Sequence, residues 1–467
     1  MMTTLFQQPL SVLNLGLESF ANDIRDAGGD VLHLQWRPAA QGDEEANWLL
    51  ATLMADTRVD AANEIALQRY LDAQPVLVDI MTAREAIPGL AAERKILHAG
   101  PPIAWADMCG PMQGAIAGAI VLEGWASGVE HAMLLAASGE IALEPCHHHH
   151  ATGPMAGIIS PSMPVWVVEN KTHGNRAYCN FNEGLGKVLR FGANHDEVLT
   201  RLRWMADVLA PALKQALAMS GNIELKPMIA QALHMGDECH NRNVAASGLF
   251  FRRLAPHLAR IKHGAEALEF IAANDHFFLN LSMAACKSML DAASNVPHSS
   301  MVTVMARNGV NFGIRLSGTG DRWFQAPANP VDGLFFPGFG VEDAAADLGD
   351  SAITETAGIG GFAMAASPAI VKFVGGTPAD AVRHSQAMHE ITLTTQPAFT
   401  LPALNFVGSG CGIDARCVVD SNILPIINTG IAHKLAGVGQ IGAGITTAPL
   451  ACFLAAIKAL SQGDDHV

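Results

Sequence analysis

The chain has 467 residues, of which half are apolar, 16% are charged and 44 are glycine. Such a length exceeds one ordinary hydrophobic core, and the composition is typical of a globular enzyme rather than a fibrous or disordered chain. With 29 Lys+Arg against 44 Asp+Glu the formal net charge is −15, which disfavours binding to the phosphates of nucleic acids.

The N-terminal segment has neither the basic region nor the long apolar region of a signal peptide. The most apolar windows, 114–128 and 358–376, are interrupted too early to span a bilayer. The eight cysteines are scattered without a CxxC pair, which is typical of free thiols in a reducing compartment. We therefore expect a cytoplasmic protein without membrane association.

The first 90 residues predict a small Rossmann-like α/β unit. An apolar run at 11–16 reads as a strand, the amphipathic stretch 17–29 as a helix closed by Gly-Gly, and 31–36 as a second strand. Two further helical patterns and a strand at 75–80 complete the unit. The order of elements is that of a doubly wound fold.

Three further domains are predicted after this unit, giving a mixed α/β (α+β) multi-domain fold with a polar cleft. Residues 91–196 are rich in glycine turns and predict an α/β domain, whereas 197–297 show helical periodicity with Pro211 as a kink or boundary. Residues 298–467 return to strands, including a hairpin, and end in Gly-rich loops.

The stretch 143-LEPCHHHHATGPMAG-157 contains the first candidate site. If it is extended, Cys146, His148 and His150 share one face with Glu144 and are candidate ligands for a zinc-like ion. The alternative is a solvated loop that turns at Gly153-Pro154. No second ligand pair occurs at standard spacing, so no metal is expected.

The second candidate is 235-MGDECHNRN-243, where ionisable residues crowd a helix end. Asp237 and His240 fit an acid/base pair or an anion clamp. Capping of the following helix by Asp237 explains part of the pattern equally well, and both interpretations stay open.

Polar residues also follow two apolar strands. Asn170 and Asn175 could orient an amide or carboxylate substrate, although turns use asparagine as well. Arg307 and Arg315 lie at opposite ends of the predicted hairpin, where a guanidinium could bind a carboxylate or phosphate. For any single arginine, a surface position is the simpler interpretation.

Two Gly-rich segments near the C-terminus complete the candidates. In 349-GDSAITETAGIGG-361, Asp350, Ser351 and Glu355 precede a turn that resembles an anion-binding nest and also an ordinary helix cap. In 428-NTGIAHKLAGVGQIGAG-444, Lys434 could neutralise an anion and His433 could move a proton.

Whole phrases of the sequence resemble the YahG/YlbE-like family of bacterial proteins, and the similarity runs from about residue 90 to the end. The matching phrases are 97-LHAGPPIAW, 109-CGPMQGA, 145-PCH, 168-VEN, 174-GNRAYCN, 235-MGDECHNRN, 305-MARNG, 349-GDSAITETAGIGG and 428-NTGIAHKLAGVGQIGAG. The first 90 residues resemble the longer, YahG type. Of the histidine run, the family pattern asks only for Pro145-Cys146-His147.

The resemblance implies a subunit of oxamate carbamoyltransferase that acts with an FdrA-like subunit and a third protein. The implied reaction is phosphorolysis of oxalurate to oxamate and carbamoyl phosphate, late in anaerobic allantoin degradation and nitrogen metabolism. Phosphate is then a co-substrate, and no other cofactor is expected; a homo-oligomer is expected as well. The alternatives are a non-catalytic scaffold subunit and a metal-dependent amidohydrolase built on Cys146 and the histidines.

Such a reaction needs groups that hold anions, donors for a carbonyl oxygen and an acid for the departing nitrogen. We assign Arg307, Arg315 and Lys434 to the anions. His147, beside Cys146, or His433 is the predicted acid. The remaining predicted substrate-binding residues are Asn170, Asn175, Asn308, Asp350, Ser351, Glu355, Asp237 and His240.

Overall fold

The computed structural model describes residues 11–34 and 37–462. Its strands are β1 (Ser11–Leu15), β2 (Asp30–Leu34), β3 (Pro75–Thr82), β4 (Lys95–His98), β5 (Ala142–Pro145), β6 (Ala151–Thr152), β7 (Pro164–Asn170), β8 (Arg176–Asn180), β9 (Ile223–Glu224), β10 (Val302–Asn308), β11 (Asn311–Leu316), β12 (Phe324–Pro327), β13 (Asp332–Phe335), β14 (Leu348–Gly349), β15 (Thr392–Leu401), β16 (Val407–Ile413), β17 (Ile426–Ala432) and β18 (Gln440–Thr447). Its α-helices are α1 (Glu18–Asp26), α2 (Glu44–Ala55), α3 (Thr57–Asp72), α4 (Ala83–Ala86), α5 (Gly110–Leu122), α6 (Val129–Ser138), α7 (Asp196–Trp204), α8 (Ala210–Ser220), α9 (Leu225–His234), α10 (Val244–Leu258), α11 (Gly264–Ala272), α12 (Leu279–Ala292), α13 (Ile353–Thr356), α14 (Val371–Val374), α15 (Pro378–Met388), α16 (Ala415–Ser421) and α17 (Leu450–Ser461).

The fold is mixed α/β, as predicted, with several small sheets. The largest sheet has five strands in the order β6-β8-β7-β3-β9, and a four-stranded sheet has the order β12-β11-β10-β14. Helix α12 contacts strands of both sheets and is buried from Leu279 to Leu290. A helix that is buried on all sides belongs to a core rather than to a surface layer, so α12 is the central element of the fold.

The N-terminal strands form as predicted, but they do not join one sheet. β1 and β2 pair in parallel, with Ser11 opposite Asp30. Residues 35–36 of the predicted second strand lie outside the described residues. β3 pairs instead with β7 and β9 in the five-stranded sheet. The division of the chain into four domains stays a prediction.

Helices fill the stretch 197–297, as its periodicity predicts, and Pro211 marks a break in them. Between α7 and α8 the residues Met205–Leu209 form a single π-helical turn, and Pro211 lies in the first turn of α8. Proline has no N–H to donate and its ring clashes with the carbonyl four residues earlier. The wider turn relieves that clash at the carbonyl of Asp207.

The hairpin predicted at 301–318 is present as β10 and β11, paired antiparallel. The Gly-rich stretch predicted as C-terminal loops is different, because most of it is an antiparallel hairpin of β17 and β18. Only the short connection between Ala432 and Gln440 is a loop. No α-helix in the described ranges is long and apolar enough to cross a bilayer.

Candidate functional site

A small pocket lies where the loops after several strands meet α12. Its volume is about 20 Å³, which is close to the space that one water molecule needs. Its lining residues are Pro154, Met155, Arg190, Phe191, His240, Asn241, His276, Leu279, Ser351, Gly430 and Gln440. Cationic, imidazole, amide and hydroxyl groups therefore converge on one narrow space.

The most reactive feature of this pocket is a buried histidine–carboxylate pair. Nδ1 of His240 lies 2.7 Å from Oε1 of Glu355, and both side chains are buried. The same oxygen accepts a hydrogen bond from the Gly361 amide at 2.8 Å, which holds the carboxylate in place. Because Nδ1 is bound to Glu355, Nε2 is the ring nitrogen left for a ligand. This is the arrangement of a general acid/base histidine with an orienting carboxylate.

Glu238 supports the loop that carries His240. Its carboxylate accepts hydrogen bonds from the backbone amides of His240 and Arg242, so it closes the loop on itself. Burial raises the pKa of Glu238 to about 7, although nearby His240 and Asn428 oppose the shift. Neither side-chain polar atom of Asn428 has a hydrogen-bond partner among the described residues.

Arg190 is the cation of the pocket. Its side chain is buried and its Nη2 donates to the carbonyl of Gly184 at 2.6 Å, whereas the buried Nε has no hydrogen-bond partner among the described residues. No carboxylate of the described chain lies within 4.0 Å of its guanidinium. Burial lowers the pKa of Arg190 to about 10, against the attraction of Glu183. A buried cation that makes no direct ion pair is costly, so an anion is the ligand that this position favours.

Two neutral side chains, Asn241 and Ser351, add hydrogen-bonding groups to the pocket wall. Nδ2 of Asn241 is buried without a partner among the described residues, and it belongs to the pocket wall. Ser351 is buried in the same wall, with Oγ 3.4 Å from Nη1 of Arg307. Burial lowers the pKa of His276 to about 4, helped by Arg190 and His240, so this imidazole is neutral at pH 7. The pocket thus offers donors suited to an oxyanion or a carbonyl oxygen.

The structure brings three of the predicted residues together here, namely His240, Glu355 and Ser351. Asp237, from the same segment as His240, is a helix cap, which is the alternative role that the sequence left open. Its carboxylate accepts a hydrogen bond from the Ala246 amide at 2.8 Å and so caps the first turn of α10. The segment 235–243 therefore combines a cap with a candidate acid/base.

Asp350 precedes Ser351 of the pocket wall in the chain and joins separate loops. Its two oxygens accept hydrogen bonds from the amides of Gly100 at 2.7 Å and Gly153 at 3.0 Å. Nε2 of His147 lies 3.3 Å from the same carboxylate, without the alignment of a hydrogen bond. Burial lowers the pKa of His147, with Asp350 acting against it. Neither residue lines the pocket.

The histidine run is not extended, which was the condition for its interpretation as a metal site. Cys146–His149 form one 3-10 turn, and His150 has a left-handed conformation with φ of 55°. The turn buries Cys146 in an apolar cluster, where its thiol donates to the carbonyl of Gly157 at 3.2 Å. Burial raises the pKa of Cys146 well above its ordinary value, which favours the inert thiol over the thiolate.

The turn also separates the three candidate metal ligands. Cys146 is bound to a backbone carbonyl, Nε2 of His148 accepts a hydrogen bond from Trp323 at 2.8 Å, and His150 pairs with Asp291 at 2.9 Å. Within residues 11–34 and 37–462, no group of three or more His, Cys, Asp or Glu side chains is placed to hold a metal ion.

All hydrogen-bond donors of the Arg307 guanidinium are used within the protein. Nε and Nη2 bind the two oxygens of Asp347 at 2.6 and 3.0 Å, and the remaining donors reach the Gly349 carbonyl, Ser351 and Thr429. A guanidinium has five N–H groups, so none remains for a substrate anion. Its geometry is that of a buried brace between β10 and β17.

The other predicted residues of the β10–β11 hairpin also have partners outside the pocket. Arg315 pairs with Asp321 and lies 5.9 Å from the ring of Trp323. The amide of Asn308 donates to the carbonyl of Pro101 at 3.1 Å, and its oxygen accepts from the hairpin turn. These contacts organise the hairpin.

Asn170 and Asn175 form the turn between β7 and β8. Nδ2 of Asn170 donates to Oδ1 of Asn175 at 3.1 Å, and Asn170 accepts from the Gln74 amide at 3.0 Å. Asn175 in turn donates to the Ser288 carbonyl at 2.9 Å. Their amides are thus used in turn and packing contacts, and neither residue lines the pocket.

His433 and Lys434 lie in the connection between β17 and β18. Nδ1 of His433 accepts from the Leu435 amide at 2.9 Å, and Nζ of Lys434 donates to the carbonyl of Glu342. Neither lines the pocket. The roles assigned to His433 and His147 as the acid remain predictions, and the geometry favours His240 for that role.

Sequence reasoning missed Arg190 and Asn241. The available signal for Arg190 was a single cation inside the apolar run 188-VLRFG-192, directly after a Gly-rich turn. Asn241 lay inside a segment that was already a candidate, next to His240. Sequence alone does not reveal that the donors of these two side chains are buried without a partner.

Comparisons with known proteins identify the family of this chain. Residues 141–351 match the protein family described as oxamate carbamoyltransferase subunit AllG, a range that contains Arg190, His240 and Ser351. The chain is 51% identical to oxamate carbamoyltransferase subunit AllG of Escherichia coli (strain K12) over 412 residues, covering 87% of this chain and 98% of that protein. It is 48% identical to the uncharacterized protein YahG of the same strain over 465 residues, covering 98% of both chains.

A solved structure is similar as well. The crystal structure of a conserved protein of unknown function from Enterococcus faecalis V583 has a TM-score of 0.85 and 49% sequence identity, and covers 87% of this chain and 98% of its own. The agreement extends over sequence, fold and most of the length. This chain therefore belongs to the family of the oxamate carbamoyltransferase subunit AllG and of YahG.

Proposed function

We propose that this protein is a subunit of a carbamoyltransferase that moves a carbamoyl group between an N-carbamoyl compound, oxalurate or a relative of it, and phosphate. The products in the phosphorolytic direction are oxamate or the related amide, and carbamoyl phosphate. The names of the AllG relative and of the matching family support the reaction class. The observation that carries the proposal is the buried, unpaired guanidinium of Arg190 in the same pocket as the His240–Glu355 pair.

The chemistry follows from these groups. A phosphate oxygen attacks the carbamoyl carbon, a C–O bond forms and the C–N bond breaks. Arg190 holds the anion, and Asn241 donates to the carbonyl oxygen as negative charge develops there. His240 gives a proton from Nε2 to the departing nitrogen, while Glu355 stabilises the imidazolium from which that proton comes.

The site of a single chain has little positive charge for two anionic substrates. Arg190 is the one Arg or Lys among the lining residues of the pocket, and the neighbouring Arg307 is neutralised by Asp347. The pocket is also too small for phosphate in this conformation. We therefore propose that an FdrA-like subunit and a third subunit complete and open the site in a cytoplasmic complex.

The test is the substitution His240→Gln in the complex assembled with its partner subunits. We expect carbamoyl phosphate formation from oxalurate and phosphate to fall by about 10²- to 10⁴-fold, the usual contribution of a general acid. His131→Gln is the matched control, because His131 is exposed on α6. Size-exclusion chromatography of both variants establishes that assembly is intact.

The same experiment decides between a catalytic and a scaffold subunit. If His240→Gln assembles normally and turns over like the control, this chain is a scaffold and the proposed catalytic role is wrong.

A further inference from the structure

A second, larger pocket lies on the other side of Arg190. Its volume is about 490 Å³, within the range of pockets that enclose small organic ligands. Arg190 belongs to the walls of both pockets. The large pocket is therefore placed to hold the rest of a molecule whose reactive end reaches the small one.

The shape of the large pocket depends on the break before Pro211. Met205, Ala206 and Asp207 of the π-helical turn form one of its walls. Single π-turns within helices occur frequently at functional sites, because they move a few side chains out of the regular helical register. Pro211 thus creates a wall that an uninterrupted helix would not have.

The floor of the large pocket carries two opposite charges that do not meet. Glu183 and Arg190 are both buried there. Burial raises the pKa of the Glu183 carboxyl and lowers that of Arg190, and each group opposes the shift of the other. No ion pair within 4.0 Å joins them among the described residues. The carboxylate of Glu183 accepts from the amides of Leu189 at 2.8 Å and Arg190 at 3.2 Å. Each carboxylate oxygen retains a further lone pair, and Nε of Arg190 is a free donor.

A neutral group with both a carbonyl oxygen and N–H donors satisfies such a floor. A ureido group, in which one carbonyl carbon carries a terminal amino group and a substituted N–H, donates to the carboxylate and accepts from the guanidinium at the same time. Half of the lining residues are apolar, among them Leu122, Phe181 and Leu202, and offer a surface for an apolar substituent. The other half is polar and includes Arg84, Arg203 and Asp207. Oxalurate would occupy only part of this space, which leaves room for a larger substituent on the same ureido group.

We infer that the large pocket binds ureido compounds that carry an apolar substituent, with the ureido group between Glu183 and Arg190. The inference rests on the proposed function, because it names the substrate class of the same site. In the transfer step, phosphate attacks the ureido carbon from the side of the small pocket. The bond from that carbon to the substituted nitrogen breaks, and the proton from His240 leaves with the amine in the large pocket.

Binding to the complete chain without its partners tests this assignment independently of turnover. Benzylurea is the probe, and N-benzylacetamide, in which a methyl group replaces the terminal amino group, is the matched ligand. We expect benzylurea to bind at least about tenfold more tightly in calorimetric or ligand-detected NMR titrations, because the acetamide keeps the substituted N–H but lacks the terminal amino donors to Glu183.

Substitutions in the wall locate the ligand. Ala206→Trp fills the pocket, and Ala206→Leu does so more mildly if the larger side chain disturbs folding. Both should weaken benzylurea binding, Ala206→Trp by at least about tenfold. Ala272→Trp, on the exposed end of α11, is the control and should leave affinity within about twofold.

The assignment is overturned if benzylurea binds no better than N-benzylacetamide, or if the folded Ala206 variants bind benzylurea like the control. A failure of the proposed function alone gives another result. Turnover is then unchanged in the His240→Gln complex, while benzylurea still binds the chain.

Discussion

Removal of the buried cation in Arg190→Met should make the protein more stable and less active at the same time. Burial lowers the pKa of Arg190 well below its ordinary value, to about 10. Since each pKa unit corresponds to about 1.4 kcal/mol, keeping this cation in the folded protein costs roughly 3 kcal/mol. Methionine fills a similar volume without a charge. The substitution also removes the hydrogen bond to Gly184 and the contact with the Phe191 ring, 5.4 Å away. These losses offset about 1 to 2 kcal/mol of the gain in unfolding free energy.

The same substitution removes the proposed anion ligand. A hydrogen bond to a charged group contributes about 1.5 to 3 kcal/mol, so the KM for phosphate should rise by about ten- to 150-fold. Phosphate saturation curves of the assembled complex measure this effect, and urea unfolding of the chain measures the stability. Arg260→Met is the control, because Arg260 is exposed beyond the end of α10 and should change neither quantity.

Two results would refute the reasoning about Arg190. A lower unfolding midpoint for Arg190→Met would show that the guanidinium is compensated in the free protein. An unchanged KM for phosphate would show that it does not contact the anion. The opposite signs of the two expected effects distinguish a functional cation from a merely structural one.

Three further substitutions test the surroundings of the site. A Cβ on Gly360 would clash with Oε1 of Glu355, so Gly360→Ala should abolish turnover. Gly338 is also at positive φ but in open space, so Gly338→Ala should cost only about 1 kcal/mol in urea unfolding. Asp350→Asn places an amide where two backbone N–H groups need an acceptor, and should lower the unfolding free energy by about 1 to 3 kcal/mol. The pKa of Glu238 is raised to about 7, so its contribution to stability is complete below about pH 4.5 and is lost as pH rises through 7. Glu238→Gln should therefore gain about 3 kcal/mol relative to wild type between pH 4.5 and 8 in urea unfolding; a constant difference across this range would contradict the assignment.

The sequence identified several of the segments that form the candidate site, but not the role of each residue within them. The crowding of ionisable residues around His240 and the polar turn containing Glu355 both predicted chemistry, and both segments meet in the pocket. Their pairing across 115 residues of chain could not be read from either segment. Arg307 shows the opposite case, since its residue type fits an anion and only its contacts with Asp347 reveal a structural brace.

The sequence by itself determined the local structure and the family. Apolar periodicity predicted the helices of 197–297, strand-type segments predicted the β10–β11 hairpin, and the matching phrases indicated the relatives. These properties depend on neighbours along the chain, which a sequence displays directly.

The tertiary structure alone decided which polar groups are free. Whether Arg190 has a counter-ion, whether Cys146 is a thiol in an apolar cluster and whether β3 joins β1 or β7 all depend on residues far away in the chain. The cost of burying a charge or an unpaired donor arises from the surrounding packing rather than from the residue itself. For that reason the reactive pocket became recognisable only after the loops were placed around it.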